Sequence, residues 1–204
     1  MQQQQQQEKV VFIIEGSDGT GKSSLCKFIQ NYVNGKCHTI HSNFDKNLPK
    51  QNHFRQHILI TNFVKKQFDK KHYTGNNVVI LDRNYISDII YGDISYGSKG
   101  DREYKLNNLR KMLKTLNKTA KVVIVHCNPE NNKYYKTSNE REELLNSFEN
   151  TTIENKYKQF FSSFDFYDIL ENTGSNFYEF SFDTDSDYKD FVSYCLVSQG
   201  VNKR

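Results

Sequence analysis

The sequence predicts an α/β protein: a parallel sheet of five strands flanked by helices on both faces. Two observations carry this. The apolar runs VVFII, VVIL and VVIV are unbroken, as in strands buried on both sides. Between them, apolar residues recur at helical spacing, and the first strand passes into the first helix through a glycine-rich turn.

In chain order, Lys9 to Ile14 is the first strand. Leu25, Phe28, Ile29, Tyr32 and Val33 then mark a helix that opens at Lys22 and stops at Asn34-Gly35. Lys36 to His41 is a weaker strand, followed by a helix whose apolar stripe is Phe54, Ile58, Leu59, Phe63, Val64 and Phe68. Val78 to Asp82 and Lys121 to Cys127 are strong buried strands, separated by a helix carrying Leu106, Leu109, Leu113 and Leu116. After Asn128-Pro129 a polar stretch leads into one helix bearing Phe148, Ile153, Tyr157, Phe160, Phe161 and Phe164. Asn176 to Asp183 is the last strand, and Tyr188, Phe191, Val192, Cys195 and Leu196 belong to a closing helix.

At 204 residues the chain suits one domain that can bury a core without staples. The expected organisation is a glutamine-rich tail over residues 1–8, unable to bury anything, then a single domain over residues 9–200. Cys26, Cys37, Cys127 and Cys195 form no CxxC pair and read as core residues of a reduced, cytoplasmic protein, with a nuclear location left open. A net charge of +4 is too small to argue for a nucleic-acid or membrane partner. No segment approaches the about 18 apolar residues of a membrane span. His53 and His57 lie four apart on a helix, but without HExxH or a third ligand they read as helix surface. Phe160, Phe161, Phe164, Phe166 and Tyr167 read as packing residues rather than a base-stacking platform.

Residues 16–23 read GSDGTGKS, a complete G-x-x-x-x-G-K-[ST] between a buried strand and a helix. Its glycines let consecutive N–H groups and the positive helix end face a phosphate. Gly16, Gly19, Thr20, Gly21, Lys22, Ser23 and Ser24 are therefore the expected nucleotide-binding residues, with Lys22 reaching the β- and γ-phosphates and Ser23 holding Mg²⁺. Nucleotide binding follows. A GTPase is disfavoured because Asp82 is followed by Arg-Asn-Tyr rather than x-x-Gly, and Asn117-Lys118-Thr119-Ala120 lacks the acid that reads guanine. Multi-helix ATPases are disfavoured by length and by the single acid ending the third strand.

FIIEGSDGTGKSS and LDRNYISDIIY together resemble the thymidylate kinase family, within the P-loop nucleoside and nucleotide kinases. The resemblance implies the P-loop NTPase fold with a lid at about residues 130–147. It also implies ATP and Mg²⁺ as cofactors, small-molecule nucleotides as partners, and a possible homodimer. Asp18 matches the phosphate-loop acid that contacts the sugar 3′-hydroxyl or a metal-bound water, and Asp82 the acid that helps hold Mg²⁺. Arg83 matches the arginine on the acceptor's phosphate, Tyr91 the tyrosine beside the acceptor sugar, and Ser87 and Asp88 the base contacts. Arg55 matches a second phosphate-gripping arginine, and Arg141, near Lys133 and Lys136, the lid's transition-state arginine.

These roles fit phosphoryl transfer, which needs two anions held in line and their charge neutralised. The leading expectation is ATP-dependent phosphorylation of a deoxynucleoside monophosphate, with dTMP as acceptor. Two alternatives stand beside it. ISD after Asp82-Arg83 is similar to the E-R-S-x-x-S-D of deoxynucleoside kinases, with Asp45 then available as base for a 5′-hydroxyl. Asp88 can accept from an exocyclic amine, which thymine lacks. The second alternative is a non-catalytic P-loop protein that binds nucleotide and regulates.

Overall fold

The protein is described by a computed structural model covering residues 8–33, 37–42, 50–69, 77–95, 102–128, 147–181 and 185–201. The calls on Asp45, Leu48-Pro49, Lys133, Lys136 and Arg141, and the lid as a whole, lie outside these residues. The strands are β1 (Val10–Glu15), β2 (Cys37–His41), β3 (Val78–Asp82), β4 (Lys121–Cys127) and β5 (Asn176–Phe180). The helices are α1 (Lys22–Tyr32), α2 (Lys50–Asp69), α3 (Tyr85–Ser95), α4 (Arg102–Asn117), α5 (Ser147–Phe161), α6 (Phe164–Thr173) and α7 (Asp185–Ser198).

All strand pairs are parallel, in the order β2-β3-β1-β4-β5. The unbroken VVFII follows from β1's central place, since its side chains alternate into two cores. Val11 and Ile13 pack with residues of α2 to α6, whereas Val10, Phe12 and Ile14 pack with α1 and α7. Cys26, Cys127 and Cys195 are buried, Cys37 is half-buried, and all four are free thiols.

The chain leaves β1 toward β2 on one side, and leaves β4 toward β5 on the other. A crevice opens at such a divergence, outside the carboxyl ends of the strands. Residues 16–23 lie there.

Three elements differ from the sequence expectation. Helix α3 follows Asp82-Arg83, where no helix was expected. The single aromatic helix is two: Ser163, extended at φ −79° and ψ 148°, caps α6 by accepting from the Phe166 N–H. Phe164 thereby becomes the first residue of α6 and is 85 % exposed, with Tyr167 also exposed, while Phe160, Phe161 and Phe166 are core. On α2 the buried stripe is His57, Thr61, Val64 and Phe68. Ile58, Leu59 and Phe63, expected inside, are exposed, with Leu59 at 68 %. No described helix is long and apolar enough to cross a membrane.

Candidate active site

The phosphate loop is shaped by its glycines. At Gly16, φ is +145°, and a Cβ there would lie 2.6 Å from the Cys127 carbonyl oxygen and 2.7 Å from Thr20 Oγ1. Only glycine lets β1 turn this close to β4. Gly21 stands at the N-terminus of α1 in the left-handed region, φ 79°, with no side-chain cap and no acid in the first turn. The positive helix end is thus left uncompensated, which suits an anion. Inside the loop, Thr20 Oγ1 donates to the Ser17 carbonyl at 2.9 Å and Lys22 Nζ donates to the same oxygen. Lys22 is buried, and burial, then the Arg83 guanidinium, pulls its pKa down to about 8, against Asp18. Ser23 and Ser24 are exposed at the start of α1, and Gly19 is exposed at the loop's tip.

The second motif forms a tight turn after β3. Arg83 is the only described residue other than glycine with positive φ, at 67°. Strained backbone of this kind persists where neighbours over-determine it. Here the Arg83 N–H donates to the Ile14 carbonyl at 3.0 Å, and the Asn84 N–H donates to Glu15 Oε1 at 2.8 Å. The Arg83 side chain points back across the crevice. Its Nη2 donates to Asp18 Oδ1, its Nη1 donates to the Tyr91 hydroxyl at 2.8 Å, and Cζ lies 5.0 Å from the centre of that ring. Burial opposes its charge, but Tyr157, Tyr91, Asp18 and Glu15 outweigh burial and push its pKa up. Asp18 and Arg83, 65 residues apart, thus join the two motifs in one site.

Beneath this pair lies a carboxyl for which the sequence reading found no role. Glu15 is fully buried at the end of β1. Besides the Asn84 N–H, it accepts from Ser87 Oγ at 2.5 Å and from the Tyr157 hydroxyl of α5 at 3.1 Å, both at Oε2. Burial pushes its pKa up from 4.5 to about 7, against these donors and Arg83. The sequence signal was a glutamate directly after an apolar strand. His126, opposite Glu15 in the β1–β4 register, stacks on Tyr157 with ring centres 5.6 Å apart and contacts Glu179 at 3.2 Å. Burial pulls its pKa down to about 4.

Two further acids lie on the β3–α3 side, each held by a histidine. Asp82 is 12 % exposed and takes His41 Nδ1 at 2.8 Å. The Ile14–Asp82 register puts it beside β1, near Lys22. Asp88 takes His57 Nε2 at 2.8 Å. His57 is 4 % exposed, which corrects the surface reading, and its Nδ1 has no partner among the described residues. Arg55, two residues earlier on α2, is exposed. The structure therefore brings together Asp18, Lys22, Asp82, Arg83, Ser87 and Tyr91, with Asp88 on the outer side toward α2.

For a metal, the Ser23 hydroxyl and the Asp82 carboxylate are hard oxygen donors, and no group of three His, Cys, Asp or Glu side chains able to cage an ion occurs among the described residues. Few protein oxygens, completed by water and phosphate, is the set that Mg²⁺ accepts.

No protein-family model and no curated protein matches the chain. Solved structures do. The YorR protein from Bacillus subtilis, solved in complex with phosphorylated GDP, superposes with a TM-score of 0.55 at 18% identity, over 92% of this chain and 96% of that one. Deoxyadenosine kinase from M. mycoides, solved with bound dCTP, gives 0.53 at 16% identity, over 92% and 99%. The fold is that of the P-loop nucleoside and nucleotide kinases. A putative polyphosphate kinase 2 from Pseudomonas aeruginosa also shares it, with a TM-score of 0.58 at 11% identity over 96% of this chain and 38% of that one.

Proposed function

We propose that the chain is an ATP-dependent nucleoside monophosphate kinase, with dTMP as its acceptor by resemblance of the two motifs. The observation that carries the reading is the Asp18–Arg83 contact: an arginine with a planar phosphate-matching fork faces into the phosphate loop that would hold ATP. An acceptor that arrives as an anion needs such a cation, whereas a hydroxyl acceptor needs a base.

In this reading the loop N–H groups and Lys22 bind and orient the β- and γ-phosphates of ATP. Arg83 exchanges its bond to Asp18 for the acceptor's phosphate, and Asp18 is freed toward the acceptor sugar or a metal-bound water. Tyr91 packs beside that sugar, Arg55 reaches the same phosphate from α2, and Arg141 serves the transferring group. Ser23 and Asp82 would hold Mg²⁺, which neutralises charge on the phosphates when bound. The acceptor is a small-molecule nucleotide, and a homodimer belongs to the same proposal.

One observation favours a second reading. Asp88, fixed by His57, offers an acceptor oxygen suited to an exocyclic amine, as on cytosine or adenine. A monophosphate carrying an amino base, or a nucleoside with Asp45 as catalytic base, would use it. ADP release measured across dTMP, dCMP, dGMP, dAMP and the parent nucleosides tests these readings. Turnover with a nucleoside and with no monophosphate would overturn the leading one, and tight ATP binding with no acceptor-dependent turnover would favour a regulatory binder.

A further inference from the structure

The Arg83 turn is not held by its own strand alone. Asn84 sits one residue beyond the strained position, and its N–H is taken by Glu15, from β1. The other oxygen of Glu15 is shared by Ser87 of α3 and Tyr157 of α5, whose hydroxyls also contact each other at 2.8 Å. Four polar groups from three chain regions thus close a buried cluster directly under the arginine. Tyr157 is fully buried and is 142 residues from Glu15 in sequence. Its ring is stacked on His126 and meets Tyr91 edge-on at 6.4 Å, and Tyr91 is the residue that receives the Arg83 Nη1 bond. The guanidinium is therefore reached from α5 along two routes: through Glu15 and Asn84 to its backbone, and through Tyr91 to its side chain.

We infer that Glu15 is a positioning residue that couples the seating of helix α5 to the placement of Arg83, so that α5 sets how well the acceptor is gripped. A buried carboxyl with a full set of donors acts this way because losing any one donor leaves it under-satisfied, at a cost the others cannot absorb without moving. Among the described residues the hydrogen bonds of Glu15 go to Asn84, Ser87 and Tyr157, so its effect runs through Arg83. The inference rests on the reading of Arg83 as the acceptor-binding arginine.

The test compares Tyr157→Phe, Glu15→Gln and the double variant, each in the full chain. Tyr157→Phe removes one hydroxyl and keeps the ring. It is expected to raise the acceptor KM about tenfold, the effect of one hydrogen bond to a charged group, with ATP affinity within about twofold. Glu15→Gln is expected to raise the acceptor KM similarly. The double variant should be no worse than the stronger single, because both cut one route. Effects that multiply, or an equal loss of ATP affinity, would overturn the inference.

A second readout needs no substrate. Amide hydrogen exchange at Asn84 should quicken about tenfold in Tyr157→Phe, with the β1 amides of Ile13 and Ile14 unmoved. An unchanged Asn84 amide, or quickening spread evenly over β1, would overturn the coupling. If the wild type turns over no acceptor, the kinase reading fails by itself and the exchange result still decides whether α5 and the Arg83 turn are coupled.

Discussion

Glu15→Gln has a consequence for stability that the structure lets one size. Burial raises the Glu15 pKa from 4.5 to about 7 in the folded protein, so the fold holds that proton more tightly than the unfolded chain does. Its stabilising contribution is complete below pH 4.5 and is lost as pH rises toward 7. At about 1.4 kcal/mol for each pH unit between the two values, the loss is about 3 kcal/mol. His126 acts in the opposite direction. Its pKa falls from 6.5 to about 4, so it costs stability as pH drops through the same window, and the wild-type profile alone is expected to be flat there. Subtracting the glutamine variant removes His126, which both proteins share. Urea denaturation at pH 4.5, 5.5, 6.5 and 7.5 should show the wild type losing about 3 kcal/mol relative to Glu15→Gln from the lowest to the highest pH. A stability difference that does not change with pH would refute the burial of an ionisable carboxyl at this position.

Other expectations follow from single contacts. Arg83→Ala removes a planar cation able to make two charge-assisted bonds to phosphate, and should raise the acceptor KM about a hundredfold while ATP binding, followed by calorimetry, holds. Gly16→Ala places a Cβ against the Cys127 carbonyl, which is backbone and cannot yield. It should cost about 2 kcal/mol or more in urea and abolish ATP binding. Asp88→Asn replaces an acceptor with an amide that can also donate, and should move the dCMP-to-dTMP ratio of kcat/KM toward dTMP by about tenfold. An unmoved ratio would remove Asp88 from base reading.

The parts of the fold that depend on continuous apolar sequence were legible. VVFII, VVILD and KVVIVHC are strands within a residue of where the sequence puts them, because a strand buried on both faces leaves no polar position to confuse the pattern. The phosphate loop was legible for a different reason, since its glycines answer to local backbone geometry at Gly16 and Gly21. What escaped is non-local. In the sequence Glu15 simply follows the apolar run VVFII, and nothing in its neighbours announces Tyr157, 142 residues on. His57 sits among Ile58 and Leu59, which periodicity favours for the core, yet His57 is the residue turned inward, where Asp88 pairs with its Nε2. The break between α5 and α6 had a cue in Ser162-Ser163, a capping residue type, but helical spacing of the flanking phenylalanines hid it.

In the proposed function the phosphate loop and Arg83 form the two halves of one phosphoryl-transfer site. Acceptor-dependent ADP release by the wild type and by Lys22→Ala, measured with ATP and each deoxynucleoside monophosphate and nucleoside, tests it most directly. Turnover is expected with at least one monophosphate and should be abolished in Lys22→Ala. Turnover confined to nucleosides, or ATP bound tightly with no acceptor consumed, would contradict it.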